Sequence, residues 1–142
     1  MTLTPIEPYA SDSNLLTALC VWREARGEKY EGKLGVVWTL RNRCKAAPAQ
    51  GWKHDMAGNI LKPWQFSSFN ADDPNSQKYP VDGTPDWLDC LKAAADESPD
   101  PTNGATFYFS RPLHEAPKVW GNVVITAVIG GLTFCGFAEV VT

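Results

Sequence analysis

Asn14-Leu15-Leu16-Thr17-Ala18-Leu19-Cys20-Val21-Trp22-Arg23-Glu24-Ala25-Arg26-Gly27 turns abruptly from apolar to charged after Trp22. Ser11, Asp12 and Ser13 stand at its start with oxygens suited to capping a helix N-terminus. Leu15, Leu16, Leu19, Val21 and Trp22 leave almost no polar face, the pattern of a helix enclosed by core. Gly27 is placed to end that helix in a left-handed conformation. A second helix is expected from about Glu31 to Lys45, with Leu34, Val37, Leu40, Arg41 and Cys44 as its inner stripe. Pro48 and Gly51 close it.

Working outward, residues 1–11 read as an extended, Pro-containing arm. Residues 47–83 are mostly loop by composition, with one short helix near Asp55 to Leu61. A loop this long in a compact domain usually carries function. Thr84 and Pro85 suit the N-cap and first position of a third helix, running through Trp87, Leu88, Leu91, Ala94 and Ala95 until Pro99. Asp100-Pro-Thr-Asn-Gly104 is a turn signal, and residues 105–110 read as a strand. Residues 118–130 fit helix and strand equally, and 133–137 form a short strand able to pair with 105–110. The expected fold is one α+β domain over residues 1–142, mainly helical, with a small β-hairpin or sheet.

Composition narrows the function. A chain of 142 residues suits one domain and buries roughly two-thirds of its unfolded surface without help from metal or disulfide. The apolar content of 44% and charged content of 20% exclude disorder and coiled coil. A net charge of −3 gives no footprint for nucleic acid or anionic lipid. No stretch approaches the roughly 18 apolar residues of a membrane span. The N-terminal residues show no leader pattern, so no signal peptide is expected, and the protein is expected to be a monomer. Cys20, Cys44, Cys90 and Cys135 are scattered without a C-x-x-C pair and read as reduced, buried small hydrophobes. His54 and His114 are the only histidines. No zinc-ligand spacing, H-E-x-x-H, G-x-S-x-G or P-loop occurs, so neither metal nor cofactor is expected.

Glu24 is the candidate for chemistry. At i+4 spacing it extends the line Leu16, Cys20, Glu24, so it lies on a face that begins in the core. It also falls in the last helical turn, where the dipole disfavours a negative charge. Partial burial and dipole together raise a carboxyl pKa, which suits a general acid. The alternative is a solvated Glu in a fraying turn, neutralised by Arg23 and Arg26.

Several motifs carry a family likeness. Arg23-Glu24-Ala25-Arg26-Gly27-Glu28, then Tyr30-Glu31-Gly32, then Val36-Val37-Trp38-Thr39-Leu40-Arg41-Asn42-Arg43, resembles the opening of the SleB/CwlJ-type cell-wall hydrolases. Trp64-Gln65-Phe66-Ser67 is similar to the family's Q-F-S loop. Asp100-Pro-Thr-Asn-Gly-Ala-Thr106 with Phe107 to Pro112 is similar to its D-P-T-G-G-A-T turn and following strand. Ile129-Gly130-Gly131-Leu132-Thr133-Phe134 is similar to its terminal I-G-x-H-x-F, with Leu132 where many members have His. Arg41 also departs from the family's usual apolar residue. The matches run in order over about residues 14–137.

The resemblance implies a lysozyme-like, lytic-transglycosylase-type fold that cuts the glycan strands of peptidoglycan, with Glu24 as catalytic acid. It implies action on the bacterial cell wall. The absence of a leader suggests synthesis in the cytoplasm and release, as for a phage lysin. A groove for sugar rings calls for flat apolar faces beside hydrogen-bonding groups. Trp64, Gln65, Phe66, Ser67 and Tyr108 are the substrate-binding candidates, although core is the commoner fate of such aromatics. Phe66 and Phe109 fit core and groove equally, because strand alternation sends one of Tyr108 and Phe109 inward. Tyr30 could orient Glu24 or staple the helix junction. One Glu without an obvious partner favours the transglycosylase. A hydrolytic muramidase would draw a second carboxylate from Asp55, Asp72, Asp73 or Asp82. A non-catalytic glycan-binding module is the remaining alternative, since a peptide-cutting amidase would want zinc or a reactive cysteine.

Overall fold

The structure is a computed structural model that describes residues 6–62, 66–69, 72–110 and 122–137. A one-turn helix, α1 (Glu7–Ala10), stands where an extended arm was expected. Tyr9 accounts for the difference. Its ring stacks on Tyr79 at 5.3 Å and meets the edge of Trp87 at 6.1 Å, docking the segment on the core. Residues 1–5 of the arm lie outside the described residues.

Asp12 Oδ1 accepts the N–H groups of Asn14 and Leu15 at 2.9 and 3.1 Å and starts α2 (Ser13–Ala25). Leu16, Ala18, Leu19, Cys20 and Val21 are fully buried, as expected of a helix apolar all round. Gly27 does not end it in a left-handed turn. The helix stops at Ala25, and Arg26 keeps right-handed backbone angles. The Arg26 guanidinium folds back over the Trp22 ring and donates to the Trp22 carbonyl at 3.4 Å, so a side chain caps this end.

The next helix, α3 (Tyr30–Ala46), is wrapped by α2, α4 (Met56–Leu61), α5 (Pro85–Ala95) and the sheet. Enclosure on so many sides widens its buried surface beyond the expected stripe. Val36, Thr39 and Arg43 are buried, whereas Arg41 and Cys44 are half-exposed. Gly35 permits the closest approach of helix to sheet, since a Cβ there would stand 2.6 Å from Cζ of the fully buried Phe134. Cys20, Cys90 and Cys135 are buried, and all four thiols are free.

Asp100 builds the turn into the sheet. Its carboxylate accepts from Thr102 N–H at 2.7 Å, Thr102 Oγ1 at 2.6 Å, Gly104 N–H at 3.0 Å and Asn42 Nδ2 at 2.9 Å. Burial works to raise its pKa, but these donors outweigh it and hold the carboxyl below its ordinary value. The strands β1 (Phe107–Phe109), β2 (Val123–Ile129) and β3 (Leu132–Phe137) form an antiparallel sheet in the order β1-β3-β2. In the ambiguous segment 118–130, residues 118–121 lie outside the described residues, and the β-branched run Val123 to Thr126 makes Val123–Ile129 a strand. Tyr108 pairs with Phe134 in register, as the expected 105–110 to 133–137 pairing requires. A bulge at Thr126 interrupts the β2–β3 ladder, and Asn103 Nδ2 donates to the Thr126 carbonyl at 3.1 Å.

Glu28, just past α2, holds the β2–β3 turn. Its Oε1 accepts the Gly131 N–H at 2.9 Å. Gly130 has φ +57°, and a Cβ there would lie 2.7 Å from the same oxygen. Gly130→Ala should therefore lower stability by at least about 1–2 kcal/mol, the cost of a left-handed non-glycine residue. Urea denaturation measures it; an unchanged midpoint would mean that the turn does not depend on this contact.

Candidate active site

The described residues bring Glu24, Phe66 and Tyr108 together around one cavity of about 250 Å³, with Arg43, Phe109 and Ser110 completing its lining. Glu24 reaches it because α2 stops one residue later, which exposes the helix end to the opening. Tyr108 reaches it because β1 runs beside β3, which packs against α3. The Tyr108 hydroxyl donates to Glu24 Oε1 at 2.9 Å.

Burial is the largest influence on Glu24 and raises its pKa above the ordinary glutamate value. The Tyr108 hydrogen bond opposes it. The buried Ser68 hydroxyl faces the carboxyl and also lowers its pKa, without reaching full hydrogen-bond geometry. The negative charge of Asp73 raises it further, and Arg23 lowers it. Burial and the Glu24 charge in turn push the Tyr108 phenol well above its ordinary value, so it stays a donor.

Arg43 forms the cationic wall. Its guanidinium carbon lies 5.5 to 5.7 Å from the ring centres of Trp52, Phe66 and Phe107, and Nε donates to the Thr106 carbonyl at 2.7 Å. In the sequence Arg43 reads only as part of a motif and Arg23 only as a motif residue and a neutralising neighbour of Glu24, and Ser68 is not singled out. Arg23 had a readable signal: it continues the buried line Leu16, Leu19, Arg23, where a cation needs dedicated partners.

The other candidates separate. Phe66 is core and cavity lining at once, 3% exposed yet facing the opening. Ser67 begins a 3-10 turn (Ser67–Phe69) beside Ser68. Trp64 and Gln65 lie outside the described residues. Tyr30 does not orient Glu24. Its hydroxyl donates to Asp96 Oδ2 at 2.6 Å and joins the start of α3 to the end of α5.

A larger open cleft of about 480 Å³, lined by Trp38, Arg41, Lys45, His54, Asp55 and Glu97 among others, also lies on α3. It contains neither Glu24 nor Tyr108. The smaller cavity, where a carboxyl of raised pKa meets a fixed donor, is the better candidate for catalysis. Among the described residues no cluster of three or more metal-ligating side chains occurs, and no helix is long and apolar enough to cross a membrane.

These features define a domain in which a carboxyl of raised pKa sits at a helix end facing a small sheet. Residues 27–135 match the Cell Wall Hydrolase family, and the chain belongs to it. The match begins just past Glu24. The chain is 25% identical over 133 residues to the spore cortex-lytic enzyme of Bacillus subtilis strain 168, and the alignment covers 89% of this chain and 38% of that protein. The spore cortex-lytic enzyme of Halalkalibacterium halodurans is 30% identical over 129 residues, covering 89% and 36%. The chain thus spans little more than a third of these relatives. The catalytic domain of the Bacillus cereus SleB protein superposes with TM-score 0.64 at 26% identity, covering 90% of this chain and 92% of that one. The catalytic domain of the germination-specific lytic transglycosylase SleB from Bacillus anthracis gives 0.65 at 25% identity, covering 92% and 98%. The expected lysozyme-like α+β fold stands. Spore enzymes lend no support to the phage-borne reading.

Tyr108→Phe removes a donor that lowers the Glu24 pKa, so the pKa should rise. Carboxyl NMR titration reads it directly. A fall, or no movement, would mean that the hydrogen bond does not set the ionisation of Glu24.

Proposed function

We propose that the protein cleaves the N-acetylmuramic acid to N-acetylglucosamine bond of peptidoglycan, with Glu24 as general acid and then base. The observation that carries this reading is the raised Glu24 carboxyl, open to a cavity and held through one oxygen by Tyr108. With Oε1 accepting from Tyr108, the acidic proton belongs on Oε2. Protonated Glu24 donates to the glycosidic oxygen as an oxocarbenium-like state develops at the muramic C1. The resulting carboxylate is stabilised by the same Tyr108 hydrogen bond. It then accepts the proton of the muramic C6 hydroxyl, which closes on C1 as a 1,6-anhydro sugar. The family membership and the likeness to a lytic transglycosylase support the reading.

A second reading has one observation in its favour. Among the four carboxylates the long loop offers, Asp73 is the one whose charge reaches Glu24 and raises its pKa. Asp55 lies instead on the larger cleft. In a hydrolytic muramidase Asp73 would hold the attacking water. The wall glycan is the substrate in this reading, with Gln65 and Ser67 as candidate hydrogen-bonding partners for the sugar.

Glu24→Gln should lower cleavage at least about a hundredfold with the fold intact, since it cannot supply the proton. A variant that clears a peptidoglycan suspension at the parent rate would refute the assignment. Mass spectrometry of the products separates the two chemistries. Anhydro-muramic ends with an active Asp73→Asn variant fit the transglycosylase, and reducing ends with an inactive one fit the muramidase. Gln65→Ala and Ser67→Ala should each reduce the rate several-fold to about tenfold, the effect of one lost neutral hydrogen bond. Full rates in both, at unchanged Tm, would place the groove elsewhere.

A further inference from the structure

Arg23 precedes the acid on α2, and its side chain forms no ion pair with a carboxylate among the described residues. The residue is 7% exposed, and its guanidinium donates to three carbonyls: Nη1 to Ser68 at 3.1 Å, Nη2 to Ser76 at 3.0 Å and to Lys78 at 3.1 Å, with Nε also on Lys78 at 3.2 Å. Two of these carbonyls belong to the 3-10 turns Ser67–Phe69 and Pro74–Gln77, and the third closes the second turn. The rings of Phe69 and Tyr79 lie 4.7 and 4.9 Å from the guanidinium carbon. Tyr79 in turn stacks on Tyr9 of α1. The described parts of the 66–79 segment contain no α-helix or strand, and three of their backbone carbonyls converge on this one cation.

We propose that Arg23 is a positioning residue for the site: it gathers the described stretches 66–69 and 72–79 and holds them as a cover over Glu24. Phe66 and Ser68 from that segment stand against the acid, and Asp73 is near enough for its charge to act there. The four bonds use donors spread over Nε, Nη1 and Nη2, a reach that the single nitrogen of lysine with its three donors does not reproduce. The inference rests on the reading of Glu24 as the acid for its functional meaning, but not for its structural content.

The charged and titratable groups around Glu24 are Cys20 and Arg23 on its own helix, Arg43 from α3, Tyr108 from β1 and Asp73 from the covering segment. This set gives the test a sign. Removing the Arg23 charge alone would raise the Glu24 pKa, because a neighbouring cation favours the carboxylate. Releasing the cover admits water, removes the burial that dominates the shift, and lowers the pKa. Arg23→Met should therefore show faster amide exchange confined to 66–79, on the order of tenfold or more. Carboxyl NMR should show the Glu24 pKa falling toward the ordinary glutamate value. Cleavage should fall with it, and Arg23→Lys should recover little of either. Unchanged exchange in 66–79, or a pKa that rises, would overturn the proposal. If Arg23→Met does not fold, Arg23→Lys carries the same two readouts. Both are independent of turnover, so an active Glu24→Gln variant would defeat the catalytic reading while leaving this result to stand or fall alone.

Discussion

Two consecutive helices enclosed on most of their sides draw part of their charge away from water, and most of this structure follows from that constraint. Arg23, Glu24 and Arg43 all lie near the C-terminal ends of α2 and α3 and are carried inward with them. A buried ionisable group without partners costs several kcal/mol, so each needs a dedicated set. Arg23 takes the carbonyls of the long loop, Arg43 takes the Thr106 carbonyl and an aromatic surround, and Glu24 takes the Tyr108 hydroxyl. The loop and the sheet can thus be seen as the means by which these charges are accommodated. Glu24 shares the cavity lining with Arg43 and differs from both arginines in being a carboxyl of raised pKa.

The helices were legible because their signals are local. Asp12 as cap, the apolar run to Trp22, and Thr84-Pro85 at the start of α5 each act within one or two turns. The Asp100 turn was legible for the same reason, since its carboxylate bonds mainly to residues two and four further on. Residues 118–130 resisted reading because a short β-branched run takes its identity from its partner, and the partner of β2 follows only after the Gly130-Gly131 turn. In the site, Glu24 was visible from its position on α2. Its hydrogen-bond partner was not, because Tyr108 is 84 positions away and reaches it only through sheet pairing. Tyr30 was the nearer candidate in sequence and proved to face α5.

The short segment 23–28 concentrates so many roles because the end of α2 is where helix core, covering loop and sheet meet. Arg23 faces the loop, Glu24 the cavity, and Arg26 closes the helix on Trp22. Glu28 bonds the β2–β3 turn, and the route from there back to the acid is continuous. The turn fixes β3, Phe134 of β3 packs on Gly35 and pairs with Tyr108, and Tyr108 bonds Glu24. Tyr108 is also the partly buried ring that contacts both hydrophobic clusters, one around Val36, Trp87 and Phe134 and the other around Leu16, Leu40 and Phe66. A donor seated between two packed clusters has little freedom to move, and its fixed orientation is what preorganisation of an acid requires. The two glutamates of the segment therefore act on the same hydrogen bond from opposite ends, Glu24 by accepting it and Glu28 by fixing the sheet that delivers it.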